Sequence, residues 1–183
     1  PSGELQRSRI DPGAEIPEPP TVLSIAGTPT LTAGNISTVI GKAKSRKTFL
    51  LTSFLSALTT GSWGQITGSR TDKTALWFDT EQSLFHASQM VRRCHQLGAG
   101  RLTAYSLRGY DPAQRLQIIE TAVYETENLG FVAIDGVRDL LSRGINDEEE
   151  ATALTSSFLR WTAEREIHLM LVLHTNKADS HAR

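Results

Sequence analysis

The chain has 183 residues, of which 39% are hydrophobic and 21% are charged, so it is long enough for one globular domain with a sizeable core. Its formal net charge of −1 excludes a global electrostatic attraction to nucleic acids or to membrane surfaces. The single cysteine, Cys94, excludes an internal disulfide, and no apolar run approaches the roughly 18–20 residues of a membrane span, so we expect a cytoplasmic protein without a membrane partner.

Residues 1–30 are rich in proline and differ in composition from the rest of the chain. Proline fixes φ and lacks a backbone donor, which disfavours helices and central strands. We therefore expect an extended lead-in or linker over residues 1–30 and a folded core over residues 31–183. The prolines of this lead-in are Pro12, Pro17, Pro19, Pro20 and Pro29.

From residue 36 onward, predicted strands and helices alternate. Strands are predicted at 36–40, 74–78, 102–107, 131–134 and 167–173, of which 131–134 is an unbroken apolar run typical of a buried central strand. Helices are predicted at 47–60, at 82–97, after a capping Asp111 and after a capping Asp147, and residues 61–73 are predicted to form a loop or hairpin. This alternation predicts an α/β fold, a three-layer sandwich in which helices cover both faces of a mostly parallel sheet.

The stretch after the first predicted strand nearly matches the phosphate-binding pattern G-x-x-x-x-G-K-[ST], with Arg46 in place of the second glycine. Backbone N–H groups of such a loop surround a phosphate, Lys47 supplies a point charge, and the Thr48 hydroxyl suits Mg²⁺. The alternative is a solvated basic turn. The residues of the predicted nucleotide-binding loop are Gly41, Lys42, Ala43, Lys44, Ser45, Arg46, Lys47 and Thr48.

Polar side chains follow three further predicted strands. Asp79 and Glu81 follow the second strand, where a carboxylate can polarise an attacking water. Four apolar residues end in Asp135, the pattern of a carboxylate that holds a Mg²⁺-bound water, and His174 follows the last strand, where a polar group can sense a phosphate. Each residue alone could be a helix cap or a turn residue. Because ligands bind at the carboxyl ends of parallel strands, the combination predicts a site for ATP and Mg²⁺.

With these motifs the chain resembles the RecA-like P-loop ATPases, most closely the RepA-like and DnaB-like hexameric helicases and the KaiC-like ATPases. The resemblance spans residues 31–177. It implies that Glu81 is the catalytic glutamate, that Lys47 and His174 act on the γ-phosphate, and that Thr48 and Asp135 hold Mg²⁺. It also implies that a DNA-binding loop starts at Lys177 and that the core, incomplete here at its C-terminal end, continues past residue 183.

The resemblance predicts an ATP-hydrolysing motor on DNA, a helicase core in replication, mobilisation or recombination. Such motors work as homo-oligomeric rings, with a hexamer as the expected form, and act on single-stranded DNA. An arginine finger from a neighbouring subunit is expected among Arg138, Arg143, Arg160 and Arg165, each of which has an alternative reading as a surface charge.

Arg46 keeps two alternatives open. The glycine that it replaces lets the loop turn tightly around a phosphate, and an arginine at φ > 0 costs about 1 kcal/mol or more. The first alternative is a nucleotide-binding switch or assembly module with little or no hydrolysis. The second is an interaction domain that kept the fold and binds no nucleotide.

Overall fold

The computed structural model describes residues 2–42, 47–143 and 147–175. In chain order the elements are α1 (Ser2–Ser8), β1 (Thr21–Ile25), β2 (Thr28–Thr32), β3 (Ile36–Lys42), α2 (Lys47–Thr60), β4 (Ser62–Trp63), β5 (Ile66–Gly68), β6 (Thr74–Asp79), α3 (Leu84–Gln96), β7 (Leu102–Ser106), α4 (Pro112–Glu125), β8 (Leu129–Asp135), a 3₁₀ turn (Val137–Leu140), α5 (Glu148–Arg165) and β9 (His168–Thr175). None of the described helices is both long enough and apolar enough to cross a membrane.

The main sheet has five parallel strands in the order β3-β9-β8-β6-β7. Two register pairs matter for the site. Gly41 on β3 lies opposite His174 on β9, and Asp79 on β6 lies opposite Asp135 on β8. Since all five strands point the same way, their carboxyl ends meet at one edge of the sheet.

Hydrophobic cores fill both faces of this sheet. On one face, Leu55 of α2 and Met90 of α3 belong to the same cluster as Trp77 of β6. On the other face, Ile119 of α4 and Trp161 of α5 belong to a second cluster. Every residue of β8 is buried, as expected of a central strand covered on both sides. The predicted three-layer α/β fold is confirmed.

A second, antiparallel sheet in the order β2-β1-β5-β4 packs against α2. The predicted hairpin within residues 61–73 forms its β4 and β5. The two strands β1 and β2 were not predicted. They lie in or adjoin the proline-rich segment, where Val22 and Leu23 are buried. Pro29 is tolerated because β2 is an edge strand, which leaves one side of its backbone free of pairing.

The division of the chain into a lead-in (residues 1–30) and a core (residues 31–183) stays a prediction. The strands show that the part of the lead-in from Thr21 onward folds onto the core. Residues 9–20 carry no helix or strand and are exposed.

The predicted capping aspartates begin their helices. Asp111 accepts the N–H of Gln114, whose side chain in turn accepts the N–H of Asp111, which completes a capping box. Asp147 accepts the N–H of Glu150 at the start of α5. Helix α1 was not predicted, and the helix that Asp111 begins, α4, ends at Glu125.

Candidate functional site at the carboxyl edge of the sheet

Lys47 is the first residue of α2 and is 7% exposed. Its ammonium Nζ donates to the carbonyl oxygens of Gly41 at 2.5 Å and of Lys42 at 2.7 Å. Gly41 and Lys42 were predicted as loop residues, but they are the last two residues of β3, paired with β9. The lysine charge therefore lies against the carboxyl end of the strand that leads into the basic loop. Ala43, Lys44, Ser45 and Arg46 lie outside the described residues.

Three predicted site residues from three different strands meet at the same edge. The imidazole Nε2 of His174 lies 3.2 Å from Glu81 Oε2 and 3.2 Å from Asp135 Oδ1. Ionised carboxylate oxygens only accept hydrogen bonds, so the tautomer with a hydrogen on Nε2 is the one that can donate to them. The order of neighbouring strands, β9 beside β8 and β8 beside β6, produces this meeting of residues that are far apart in sequence.

Burial shapes the charge state of the two carboxyls. Asp135 is buried, and burial raises the pKa of its carboxyl, while the hydrogen bond from His174 and the charge of Lys47 oppose that rise. Burial likewise raises the pKa of Glu81, opposed by His174 and reinforced by the charge of Asp135. The Glu81 side chain keeps 39% of its surface exposed, so it is the member of the cluster that solvent reaches most easily.

The turn after β6 is tied to the turn after β8. The Thr80 hydroxyl lies 2.8 Å from Asp139 Oδ2 and 3.1 Å from the carbonyl oxygens of Asp135 and Gly136. Gly136 has a φ of +92°, and a Cβ built on it would lie 2.1 Å from that hydroxyl. Only glycine fits there. Sequence reasoning missed the roles of Thr80, Gly136 and Asp139; a glycine directly after the predicted strand was the one available signal.

The described residues suit a nucleotide phosphate and Mg²⁺ by their chemistry. Thr48, in the first turn of α2, and Asp135 supply oxygen ligands, which Mg²⁺ prefers. The described ranges contain no group of three or more His, Cys, Asp or Glu residues that could hold a metal. Mg²⁺ usually keeps several waters and takes one or two protein oxygens beside the phosphates.

Comparison with known proteins identifies the family of the chain and its fold. The AAA domain family matches residues 2–180. The chain belongs to this family. The RadB recombinase, known from a crystal structure, is similar with a TM-score of 0.55 and 16% sequence identity, over 84% of this chain and 66% of that one. At this identity the likeness concerns the fold, and the chain spans 66% of the length of that relative. No curated protein matches the sequence.

The predicted RecA-like P-loop ATPase family and fold are therefore confirmed for this AAA domain. In total 290 chains of solved structures match it, so the fold is widespread. A widespread fold does not select one activity, and the site residues must carry the functional argument.

The candidate arginine fingers of the AAA domain each have a partner within the chain. Arg138 Nη1 donates to the carbonyl oxygen of His174 at 3.3 Å, so it lies beside the site. Arg143 pairs with Asp147, Arg160 with Glu120, and Arg165 donates to the Thr126 carbonyl. A finger role for any of them stays a prediction.

Two clefts of the domain lie away from this edge, on either side of the edge strand β7. One has a volume of about 520 Å³ and is lined by Tyr105 and Tyr110; the other, of about 470 Å³, is lined by Trp77 and Arg92. Neither is lined by Glu81, Asp135 or His174. A phosphate site at the edge needs no deep cavity, because phosphates are held at loops and helix N-termini.

Proposed function

We propose that this domain binds ATP with Mg²⁺ and hydrolyses it to drive a DNA-processing motor in replication, mobilisation or recombination. One observation carries the proposal: Glu81, Asp135 and His174 converge within 3.2 Å contacts at the edge where Lys47 begins α2. Neither acid caps helix α3, whose N-cap position is Ser83.

Each residue has a role that its chemistry allows. Glu81, the more exposed acid, orients the attacking water and accepts its proton. Lys47 exchanges its loop carbonyls for phosphate oxygens, and the loop from Gly41 to Thr48 surrounds the phosphates. Thr48 and Asp135 hold Mg²⁺, which neutralises charge on the transferred phosphoryl group. His174 lies against both acids and reports whether the γ-phosphate is present.

The motor itself is part of the proposal. The family resemblance supports a homo-oligomeric ring of the RepA-like, DnaB-like or KaiC-like branch, with a hexamer as the expected form. A relative named as a recombinase supports action on DNA, which we propose is single-stranded and contacted by the segment from Lys177 onward. In this arrangement residues 1–20 connect the core to a neighbouring domain or subunit.

A second candidate function is a nucleotide-binding switch or assembly module with little or no turnover. Arg46 in place of the loop glycine favours it, as does the engagement of the Lys47 ammonium with the Gly41 and Lys42 carbonyls. This candidate predicts ATP binding without phosphate release.

The deciding experiment titrates Mg²⁺·ATP into the wild type and into Lys47→Ala by calorimetry, and then measures phosphate release with and without single-stranded DNA. The matched control is Lys73→Ala, because Lys73 donates to Asn128 at the opposite end of β6. We expect binding that is lost only in Lys47→Ala and turnover that DNA stimulates. Binding without turnover supports the switch, and no binding in the wild type contradicts both nucleotide functions.

A further inference from the structure

Asp79, the last residue of β6, makes two hydrogen bonds to the backbone that carries the proposed catalytic glutamate. Its Oδ1 accepts the backbone N–H of Glu81 at 2.9 Å and that of Gln82 at 2.8 Å. The side chain is fully buried. A single carboxylate oxygen thus fixes the main chain at Glu81 and directly after it.

Asp79 differs from an ordinary capping residue in its burial. Asp111 also accepts a backbone N–H, at 2.9 Å from Gln114, yet it is exposed. Asp79 accepts its two N–H groups out of solvent, and its second oxygen, Oδ2, is buried without a hydrogen bond of ordinary length from the described residues, although the Gln82 side chain lies nearby. Burying a carboxyl that is only partly hydrogen-bonded costs stability, so folding alone does not explain it.

The neighbouring residues complete a clamp around Glu81. Thr80, on one side of the chain, is tied through its hydroxyl to Asp139 and to the end of β8. Asp79 holds the N–H of Glu81 itself. The Glu81 carboxylate then reaches His174 Nε2 at 3.2 Å. The backbone conformation at Glu81 therefore bears on where its carboxylate lies relative to His174.

We propose that Asp79 is a positioning residue: its carboxyl oxygen holds the Glu81 backbone so that the Glu81 carboxylate faces His174 and Asp135. The expected effect of Asp79 on turnover rests on the proposed function. Its hydrogen bonds to the backbone at Glu81 and Gln82 are independent of that function. The feature of Asp79 that positions Glu81 is its acceptor oxygen. The side-chain amide of an asparagine at this position would supply the same acceptor without the negative charge.

The test compares Asp79→Ala, which removes the acceptor, with Asp79→Asn, which keeps it. Two quantities are measured: the kcat and KM of ATP hydrolysis, and the hydrogen-exchange rates of the Glu81 and Gln82 amides. The matched control is Asp111→Ala, which removes the acceptor of one N–H at the start of α4, where none of the proposed site residues lies. Melting curves establish that each variant is folded.

We expect Asp79→Ala to lower kcat by about 10- to 100-fold, because small misplacements of a reacting group are costly, with KM changed by less than about threefold. Exchange of the two amides should speed up by at least about tenfold, as expected for the loss of hydrogen bonds that protect them. Asp79→Asn should restore both quantities to within about threefold of the wild type. Asp111→Ala should change neither.

The outcomes separate the two proposals. If the wild type hydrolyses no ATP, the proposed function fails, and the exchange rates still decide the role of Asp79. Unchanged amide exchange in Asp79→Ala overturns the positioning role. It is also overturned if Asp79→Asn is as impaired as Asp79→Ala, since charge and not the acceptor would then matter. If Asp79→Ala is unfolded, Asp79→Val, which also lacks an acceptor but fills more of the space, takes its place under the same criteria.

Discussion

Strand β9 carries a histidine at each end, and the two ends of this one strand have different chemistry. His168, at the amino end, is buried; its Nδ1 lies 2.8 Å from the Thr32 carbonyl oxygen and its Nε2 lies 2.8 Å from the Ser37 hydroxyl. His174, at the carboxyl end, is partly exposed and lies between two carboxylates. The amino end of the sheet surrounds its histidine with neutral partners, whereas the carboxyl end surrounds it with charge.

The difference follows from the direction of the strands. A carbonyl only accepts, so Nδ1 of His168 donates to Thr32 and the Ser37 hydroxyl donates to Nε2, which satisfies a neutral imidazole. Burial lowers the pKa of His168, consistent with that neutral form. At the other end, β6 leads into Glu81 and β8 ends in Asp135, whose carboxyl groups lie on either side of His174. We infer that the amino end is built for stability and the carboxyl end for chemistry.

The largest effect that this comparison predicts is on turnover. Glu81→Gln keeps the size of the side chain but removes its ability to accept a proton from water. Because general base catalysis contributes about 10²- to 10⁴-fold, we expect kcat to fall at least about 100-fold with ATP affinity changed little. Steady-state phosphate release and calorimetry measure the two quantities. Wild-type turnover in Glu81→Gln would exclude it as the base.

Two glycines with positive φ test a different contrast, how tightly each end of the sheet packs around its turn. Gly136, at the carboxyl end, has no room for a Cβ, whereas Gly34, at the amino end with φ +76°, has nothing within 4 Å of that position. Gly34→Ala should cost about 1 kcal/mol for the backbone conformation alone. Gly136→Ala should cost about 3 kcal/mol, because Thr80 must also shift. Urea denaturation measures both, and equal losses would contradict the crowding at Gly136.

Replacing each histidine of β9 by alanine should separate stability from function. His168→Ala leaves the Thr32 carbonyl and Ser37 hydroxyl unsatisfied and opens a cavity beside Phe131, so we expect a loss of about 2–3 kcal/mol. His174→Ala should cost less than about 1 kcal/mol, since its site is partly solvated, but should impair turnover. Equal destabilisation by both substitutions would remove the distinction between the two ends.

The smallest effect concerns pH. The folded-state pKa of His168 is lowered below its unfolded value of about 6.5, so the unfolded chain binds more protons and stability falls as pH drops below that value. Glu81, Asp79 and Asp135 act in the opposite direction, because their raised pKa values favour the folded state as pH falls.

Because the acids oppose it, the contribution of His168 to the pH dependence of stability is seen by comparing the wild type with a His168 variant. We expect the urea midpoint of the wild type to fall more between pH 7.5 and pH 5.5 than that of His168→Gln, which cannot be protonated. Parallel pH profiles for the two proteins would show that His168 is not held neutral by the fold.

Much of the fold could be predicted because its signals are local. Apolar runs such as 131–134 and capping residues such as Asp111 determine elements without reference to the rest of the chain. Strands β1 and β2 could not be predicted in this way. Their short, proline-containing sequence is stabilised by packing on α2, and packing partners are not visible in a local pattern.

The sequence by itself determined the alternation of strands and helices and the chemistry at each strand end: Lys47 after β3, Glu81 after β6, Asp135 on β8 and His174 on β9. It could place these groups at one edge because parallel strands end together. Only the tertiary structure decided which of them touch. Strand order puts β9 beside β8, and thereby sets His174 between Asp135 and Glu81; strand order depends on long-range pairing, which local sequence does not encode. The clamp of Asp79 and Thr80 around Glu81 arises in the same way, from a turn that packs against the end of a strand 55 residues later.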